Sequence, residues 1–403
     1  MQLKKRAALA APFLFPVCCL SICDDALAQQ QVSGNAFNPA ISLILDGHYA
    51  SYSRNPADYE LPGFLLDEGA GLPSEGLSLD ETELAISSNI DDKYYGSMTA
   101  SLQQDNGETA VELEEAYVET LSLPKGLKVK AGRFLSEVGY LNPIHAHAWD
   151  FNDAPLAYVA MLNTAYADTG VQLRWVVPTT LFIELGGELM RGDSFPAADG
   201  AASHGTGAWT VFAHVGGDVG PTSSWRAGLA RLAADANDRA SVFAGGSAAF
   251  TGSSDVTIAD FVWKWAKNGN PRDRYYVVQA EYLHRSEDGT LAVSTLNVGD
   301  ESGPYSGTQD GYYVQGVYQF RPRWRVGARF DRLDASNTVG VTAPTPLVAS
   351  HRPSRVSAMT DFSNSEFSRL RLQVSRDDSG PSTDDQVVLQ YIMSLGAHGA
   401  HRF

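Results

Sequence analysis

Cysteine is nearly missing from this chain: there are 3 in 403 residues, Cys18, Cys19 and Cys23, all close to the N-terminus. The segment that holds them reads as a secretory signal peptide over residues 1–28. Lys4, Lys5 and Arg6 precede an apolar stretch from Ala7 to Cys23, and Ala26-Leu27-Ala28 offers a small-x-small cleavage site before Gln29. A lipidated-cysteine reading through Cys23 ranks lower, because Ile22 is bulkier than the small residue usual at that position. Cleavage after Ala28 leaves no thiol, which excludes disulfides, thiolate nucleophiles and cysteine-metal sites in residues 29–403. Long hydrophobic runs are missing too. Pro16, Asp24 and Asp25 keep the N-terminal stretch short of the ~20 apolar residues a spanning helix needs, and no later stretch comes close. If the chain lies in a membrane, it lies there as strands.

Positive charge is scarce. The 30 basic and 47 acidic residues give −17, and losing three cations and two acids with residues 1–28 makes that −18. Nucleic acid is therefore not an expected partner, since phosphate binding needs a basic face. Motifs for catalysis are lacking as well. Ser203-His204 and His214 have no G-x-S-x-G elbow around them, and Gly245-Gly246 has no following Lys-Ser/Thr to make a phosphate loop. Neither enzymatic activity nor a cofactor is expected. Aromatic residues are plentiful, with 17 Tyr, 17 Phe and 7 Trp, too many for a disordered acidic chain.

What fills the chain is period-two alternation in stretches of about ten residues. Tyr312, Val314, Gly316, Tyr318 and Phe320 alternate with Tyr313, Gln315, Val317, Gln319 and Arg321; Trp324, Val326, Ala328 and Phe330 alternate with Arg325, Gly327, Arg329 and Asp331. The pattern predicts sixteen strands, near 41–52, 77–90, 94–104, 109–121, 127–137, 168–177, 181–191, 208–218, 224–234, 256–267, 275–286, 311–321, 324–334, 353–363, 367–377 and 385–403. The links alternate in length. Short ones such as Asp91-Asp92-Lys93, Pro178 to Thr180 and Pro322-Arg323 take turns with long ones at 53–76, 138–167, 192–207, 235–255, 287–310 and 335–352. Short turns on one rim and long loops on the other define the expected fold class: an all-β, transmembrane, antiparallel up-and-down β-barrel of about 16 strands, forming one domain over residues 29–403. Closure satisfies the backbone polar groups that lipid cannot.

The chain ends on Phe403 after an alternating last strand, which resembles the assembly signal of bacterial outer-membrane barrels. Glu114-Glu115-Ala116-Tyr117-Val118, then Gly132-Arg133-Phe134, then Val138-Gly139-Tyr140-Leu141-Asn142 resemble a run of the bacterial outer-membrane porin superfamily, which includes phosphate-selective and carbohydrate porins. The resemblance covers strands four and five and the loop after them. It implies export to the bacterial outer membrane and passive diffusion of small hydrophilic solutes or ions. Two alternatives stay open: a metal-linked or ligand-specific transport barrel without a plug, and a non-conducting adhesive barrel. The expected partners are outer-membrane lipid, the barrel assembly machinery, small solutes or ions, and further copies of the chain in a homotrimer.

Candidate pore-lining residues follow from parity and from the third outward loop. Arg325 and Arg329, with Arg369 and Arg371, share the water-facing parity of strands thirteen and fifteen, because a charge on the lipid face costs ~2–4 kcal/mol near mid-membrane. The loop 138–167 carries Asp150 and Asp153 and is expected to fold into the lumen, setting a transverse field against the arginines. The blander expectation is that the arginines pair with inward carboxylates such as Asp331 and Asp361. Glu184, Glu188, Asp260 and Glu281 also point inward by parity. His145 and His147, with Asp150 and Asp153 near by, are candidate metal ligands; packing against Trp149 and Phe151 is the alternative. His398 and His401 form a separate pair near the C-terminus.

Overall fold

The computed structural model describes residues 39–396 except 68, 80–81, 106–107, 199–204, 344 and 349–350. The expected signal peptide, Ser203-His204, His398, His401 and the terminal Phe403 lie outside the described residues.

Sixteen antiparallel staves form the wall. They are β1 (Ala40–Tyr52), β2 in two segments (Gly76–Leu79 and Thr82–Asn89), β3 (Tyr94–Asp105), β4 (Glu108–Thr120), β5 (Leu127–Leu135), β6 (Ala167–Val176), β7 (Phe182–Met190) and β8 (Ala208–Val219). The remainder are β9 (Ser223–Phe243), β10 (Gly246–Ala266), β11 (Tyr275–Thr295), β12 (Gly299–Arg321), β13 (Trp324–Val339), β14 (Ser354–Ser365), β15 (Ser368–Asp378) and β16 (Asp384–Gly396). Each stave pairs with its neighbours in sequence, and β16 closes on β1 in a register running from Ser42↔Gly396 to Tyr52↔Gln386. Closure leaves the sheet without an edge.

The alternation sorts the side chains inside-out relative to a soluble sandwich. On β15 and β16, Leu370, Leu372, Val374, Val387, Leu389 and Tyr391 are exposed, whereas Arg371, Gln373, Ser375, Gln386 and Gln390 are buried. An apolar belt of this kind is stable only against lipid. Beside the short turns the belt ends in ring pairs, Trp263 with Tyr276 at 4.9 Å and Trp324 with Phe362 at 4.8 Å between centroids. Aromatic rings suit that interfacial position.

One expectation is corrected. The links 235–255 and 287–310 are not loops but strand: β9 and β10 run 21 residues each, β11 runs 21 and β12 runs 23. The alternation continues there, but the outward residues change from apolar to polar. Tyr282 is followed on the outer face by His284, Ser286 and Asp288, while Leu283, Arg285 and Glu287 stay buried. Read by hydrophobicity the strand stops; by hydrogen bonding it goes on beyond the lipid belt. A bulge between Ala236 and Arg239, with Asp238 at φ 55°, shifts the inward parity from even to odd within β9.

The hydrophobic core lies in the lumen. The loop 136–166 folds inward as the third-loop expectation held, carrying α1 (Leu156–Leu162). Leu156, Tyr158, Met161 and Leu162 pack with Leu232, Ile258, Leu283, Tyr313 and Leu333 of the wall. A helix of seven residues cannot hold itself in water, so this burial is what maintains it. The first segment of the loop 53–75 joins the same core through Leu61 and Phe64.

Candidate functional site

The inward loop starts at two glycines of the porin-like run. Gly132 sits at φ +132°, and a Cβ there would fall 2.1 Å from the Ala116 carbonyl oxygen, so only glycine allows β4 and β5 to approach. The β4–β5 ladder covers only Ala116↔Arg133 to Glu119↔Lys130, after which β5 parts from β4 and leads into the lumen. Gly139, at φ +75°, makes the turn under the wall; a Cβ there would meet Glu281 Oε2 at 2.5 Å and the Tyr158 hydroxyl at 2.6 Å.

Three contacts set the loop's base and middle. Asn142 donates to the Ser136 and Tyr166 carbonyls at 2.8 and 2.9 Å and accepts the Tyr166 N–H at 2.7 Å, tying the two ends of the loop together. Glu188 accepts the Glu137 N–H at 3.1 Å and the Gln172 amide at 2.8 Å. Glu281 accepts the N–H groups of Tyr140 and Leu141, each at 3.0 Å, and the Tyr158 hydroxyl at 2.8 Å. Of the inward carboxylates read from parity, Glu188 and Glu281 thus serve as acceptors for the loop, while Glu184 pairs with Arg174 and His214.

One end of the loop lies against the basic wall of β13–β15. Arg325 donates to Asp150 at 2.7 Å and also pairs with Asp361. Arg329 reaches Asp153 at 2.8 Å and Asp331 at 3.0 Å, and Arg355 reaches Asp153 at 2.8 Å. Arg369 and Arg371 donate to the His147 and Trp149 carbonyls. All four predicted arginines face the interior. Asp150 and Asp153, however, do not stand across a gap from them: the carboxylates touch the guanidiniums, so no transverse field spans open water between these two sets. Both the loop acids and the wall acids Asp331 and Asp361 are engaged, which merges the two expectations. Arg355 belongs to the same cluster and was not singled out by sequence; its parity on β14 was the available signal. Desolvation in its half-buried position would raise Asp153, but Arg329 and Arg355 hold its carboxyl below the usual range. A buried pair of this type contributes little net energy when whole and costs several kcal/mol when one partner is removed.

The other end lies against acid. His145 Nδ1 is 3.1 Å from Glu114 and its Nε2 is 3.0 Å from Glu115. His147 Nδ1 is 2.5 Å from Glu83, and the two imidazoles stack with centroids 5.8 Å apart. Glu114 and Glu115 are adjacent and would face opposite ways in a regular strand. The β3–β4 register slips here, since Thr99 pairs with Glu115 and Ala100 with Leu113; Glu114 is the extra residue of a bulge, and both carboxylates reach one ring. Against burial, which lowers it, the bonds to Glu114 and Glu115 and the field of Glu83 hold the His145 imidazole well above its ordinary value. Asp150 and Asp153, expected beside these histidines, are instead taken by arginines; the carboxylates come from the wall. The Trp149 indole N–H donates to the Ile144 carbonyl at 2.7 Å.

A third group was missed by sequence. Lys128, Arg174, Arg226 and Lys264 face inward from β5, β6, β9 and β10 and remain partly exposed. Arg174 pairs with Glu137 at 2.8 Å, and the Arg226 and Lys264 cations lie 5.2 and 5.8 Å from the Tyr140 ring. His214, by contrast, is buried against Glu184 at 3.0 Å.

A closed sixteen-stave barrel with an apolar outer belt and a third loop folded into its lumen defines an outer-membrane protein of the porin type. More narrowly, residues 87–396 match the family described as "Putative beta-barrel porin-2, OmpL-like", and the chain belongs to that family. A protein of Aquifex aeolicus (strain VF5), described only as uncharacterized, is 29% identical over 424 residues, covering 94% of this chain and 84% of its own. Among solved structures, OprB of Pseudomonas putida superposes with a TM-score of 0.52 at 14% identity, covering 89% of this chain and 94% of that one. The outer membrane channel DcaP of Acinetobacter baumannii gives 0.51 at 11%, covering 89% and 96%. The trimer form of OmpT, an outer membrane protein of Vibrio cholerae, gives 0.51 at 8%, covering 89% and 99%. At these identities the structures share the fold.

Proposed function

We propose that this barrel is a passive diffusion channel for small hydrophilic solutes or ions, narrowed by the loop 136–166. The observation that carries the reading is the fastening of that loop to the wall through Glu281, Glu188 and the Asp153 cluster, which narrows the lumen. Arg325, Arg329, Arg369, Arg371, Asp150 and Asp153 then form one fixed side of the constriction. Counted with the wall acids Asp331 and Asp361, the four arginines meet four carboxylates, so they shape the passage more than they select ions. The partly exposed Arg226 and Lys264, beside Tyr140, set the ion preference, as charged side chains do in pores. Export through cleavage after Ala28, insertion by the barrel assembly machinery using the C-terminal Phe403, and a homotrimeric assembly complete the reading. The trimer form of OmpT lends the last of these its support.

Planar-bilayer recording of the mature protein tests it. A stable open level that passes ions is the expected result. Persistent absence of conductance from correctly assembled protein would favour the adhesive alternative instead, for which the polar extensions of β9–β13 beyond the lipid belt would be the binding surface.

A further inference from the structure

The acidic end of the inward loop has the arrangement of a ligand set. His145 Nδ1, Glu83 Oε2 and Glu114 Oε2 lie within 4.8 Å of one another. The Nδ1 distances are 3.1 Å to Glu114 and 3.6 Å to Glu83. A tetrahedral ion with bonds near 2.1 Å holds its ligands about 3.4 Å apart, so these separations fit one ion without moving the backbone. A single Nδ1–H could serve only one of the two carboxylates; an ion would serve both.

The groups behind these three atoms are placed as supporting partners. The other ring nitrogen of His145 faces Glu115 at 3.0 Å, and Glu115 is itself fixed by the Leu135 N–H at 3.0 Å. A carboxylate on the far nitrogen is what orients a metal-bound imidazole. His147 holds the second oxygen of Glu83 at 2.5 Å, which aims the first at His145. Ser101 lies directly across the sheet from Glu83 on the same inward face. It is fully buried, and its hydroxyl has no hydrogen-bond partner among the described residues, so a further oxygen donor stands beside the cluster. The His145 side chain keeps 23% exposure, which leaves a way in from the lumen.

We propose that Glu83, Glu114 and His145 bind one divalent transition cation, with Glu115 and His147 as positioning residues. One imidazole with two carboxylates favours zinc-like ions over magnesium, which prefers an all-oxygen octahedron and keeps its waters. The site joins β2 and β4 to the inward loop, so an ion there would fasten the constriction at its acidic end.

The test uses untagged mature protein in detergent, stripped with a chelator and titrated calorimetrically with zinc chloride. Binding is read without any current, so its outcome is separate from that of the channel reading. One zinc per chain is expected, uncompeted by millimolar magnesium. His145→Asn and Glu114→Gln should each weaken binding on the order of 10–100-fold while keeping heat-modifiable migration, and Glu115→Gln should weaken it less. His284→Ala, at an exposed histidine paired with Asp310, and the double variant His398→Ala/His401→Ala should bind as the parent does. Zinc-edge X-ray absorption on the parent protein needs no variant and should show one imidazole with oxygen donors. Absence of zinc uptake, uptake unaltered in His145→Asn and Glu114→Gln, or a shell of two imidazoles that is lost in His398→Ala/His401→Ala would overturn the proposal.

Discussion

The loop between β5 and β6 meets carboxylates at one end and guanidiniums at the other. At His145 and His147 the wall supplies Glu83, Glu114 and Glu115; at Asp150 and Asp153 it supplies Arg325, Arg329 and Arg355. Two residues of loop, Ala148 and Trp149, separate the second imidazole from the first carboxylate, and the wall changes sign over the same span. The two ends differ in how they are closed. At the arginine end Asp153 is saturated: it takes two guanidiniums and the Gln373 amide at 2.8 Å. The histidine end carries more acid than base and is partly open. One end is therefore a tether complete in itself, and the other has capacity to receive a cation.

The largest expected effect comes from breaking the saturated end. Arg329→Ala/Arg355→Ala leaves the buried Asp331 and the half-buried Asp153 without their cations, and should cost about 3–5 kcal/mol. The midpoint for heat-induced loss of the folded band in detergent gels should fall, and single-channel current should become noisy. His145→Asn at the open end should cost less, about 1–3 kcal/mol, because Glu114 and Glu115 keep 15% and 11% side-chain exposure where Asp331 has none. If the two variants lowered the midpoint equally, the contrast between the ends would be lost.

A smaller effect concerns selectivity. Arg226→Gln/Lys264→Gln should shift permeability towards cations, and the shift should shrink at high salt, where screening shortens to ~3 Å at 1 M. Reversal potentials under a salt gradient measure it. Paired arginines offer little by comparison, so Arg329→Gln should change the potential less than the double variant does.

The pH response is the most gradual. Asp153 has its folded pKa held down, so its tether contributes stability that is fully present above the ordinary carboxylate value of ~3.9 and is lost as pH falls through the lower folded value. Conductance should hold a plateau from neutral pH down to about 4 and become unstable only below it. Instability already setting in near pH 6 would assign the gating to another group.

Much of this was legible in sequence, for definite reasons. Strand count and the inward parity of Arg325, Arg329, Arg369 and Arg371 follow from a side-chain period of two, a local property. The alternation of short and long links revealed the two rims. The heights of β9–β12 were not legible, because their outer residues beyond lipid are polar and the hydrophobic signal ends where the hydrogen-bond ladder does not. The partners of His145 were hidden twice over: Glu83 comes from a strand 62 residues away, and the bulge at Glu114 breaks the parity that would have placed it outside. Asp150 and Asp153 were recognised as lumen acids, but which arginines they touch is a matter of loop path, and no local pattern encodes it.

The central claim is that the loop 136–166 lies packed inside the barrel, and thiol labelling tests it most directly. With the proposed cleavage after Ala28, Cys18, Cys19 and Cys23 would be removed and an introduced cysteine would be the sole thiol of residues 29–403. Ala160 is fully buried in α1, whereas Val298 sits half-exposed in the turn between β11 and β12. Ala160→Cys should stay inert to a water-soluble maleimide in the folded barrel and react fully after heat denaturation, while Val298→Cys labels at once. Labelling of Ala160→Cys in the folded protein as fast as Val298→Cys would put the loop outside the lumen and contradict the account.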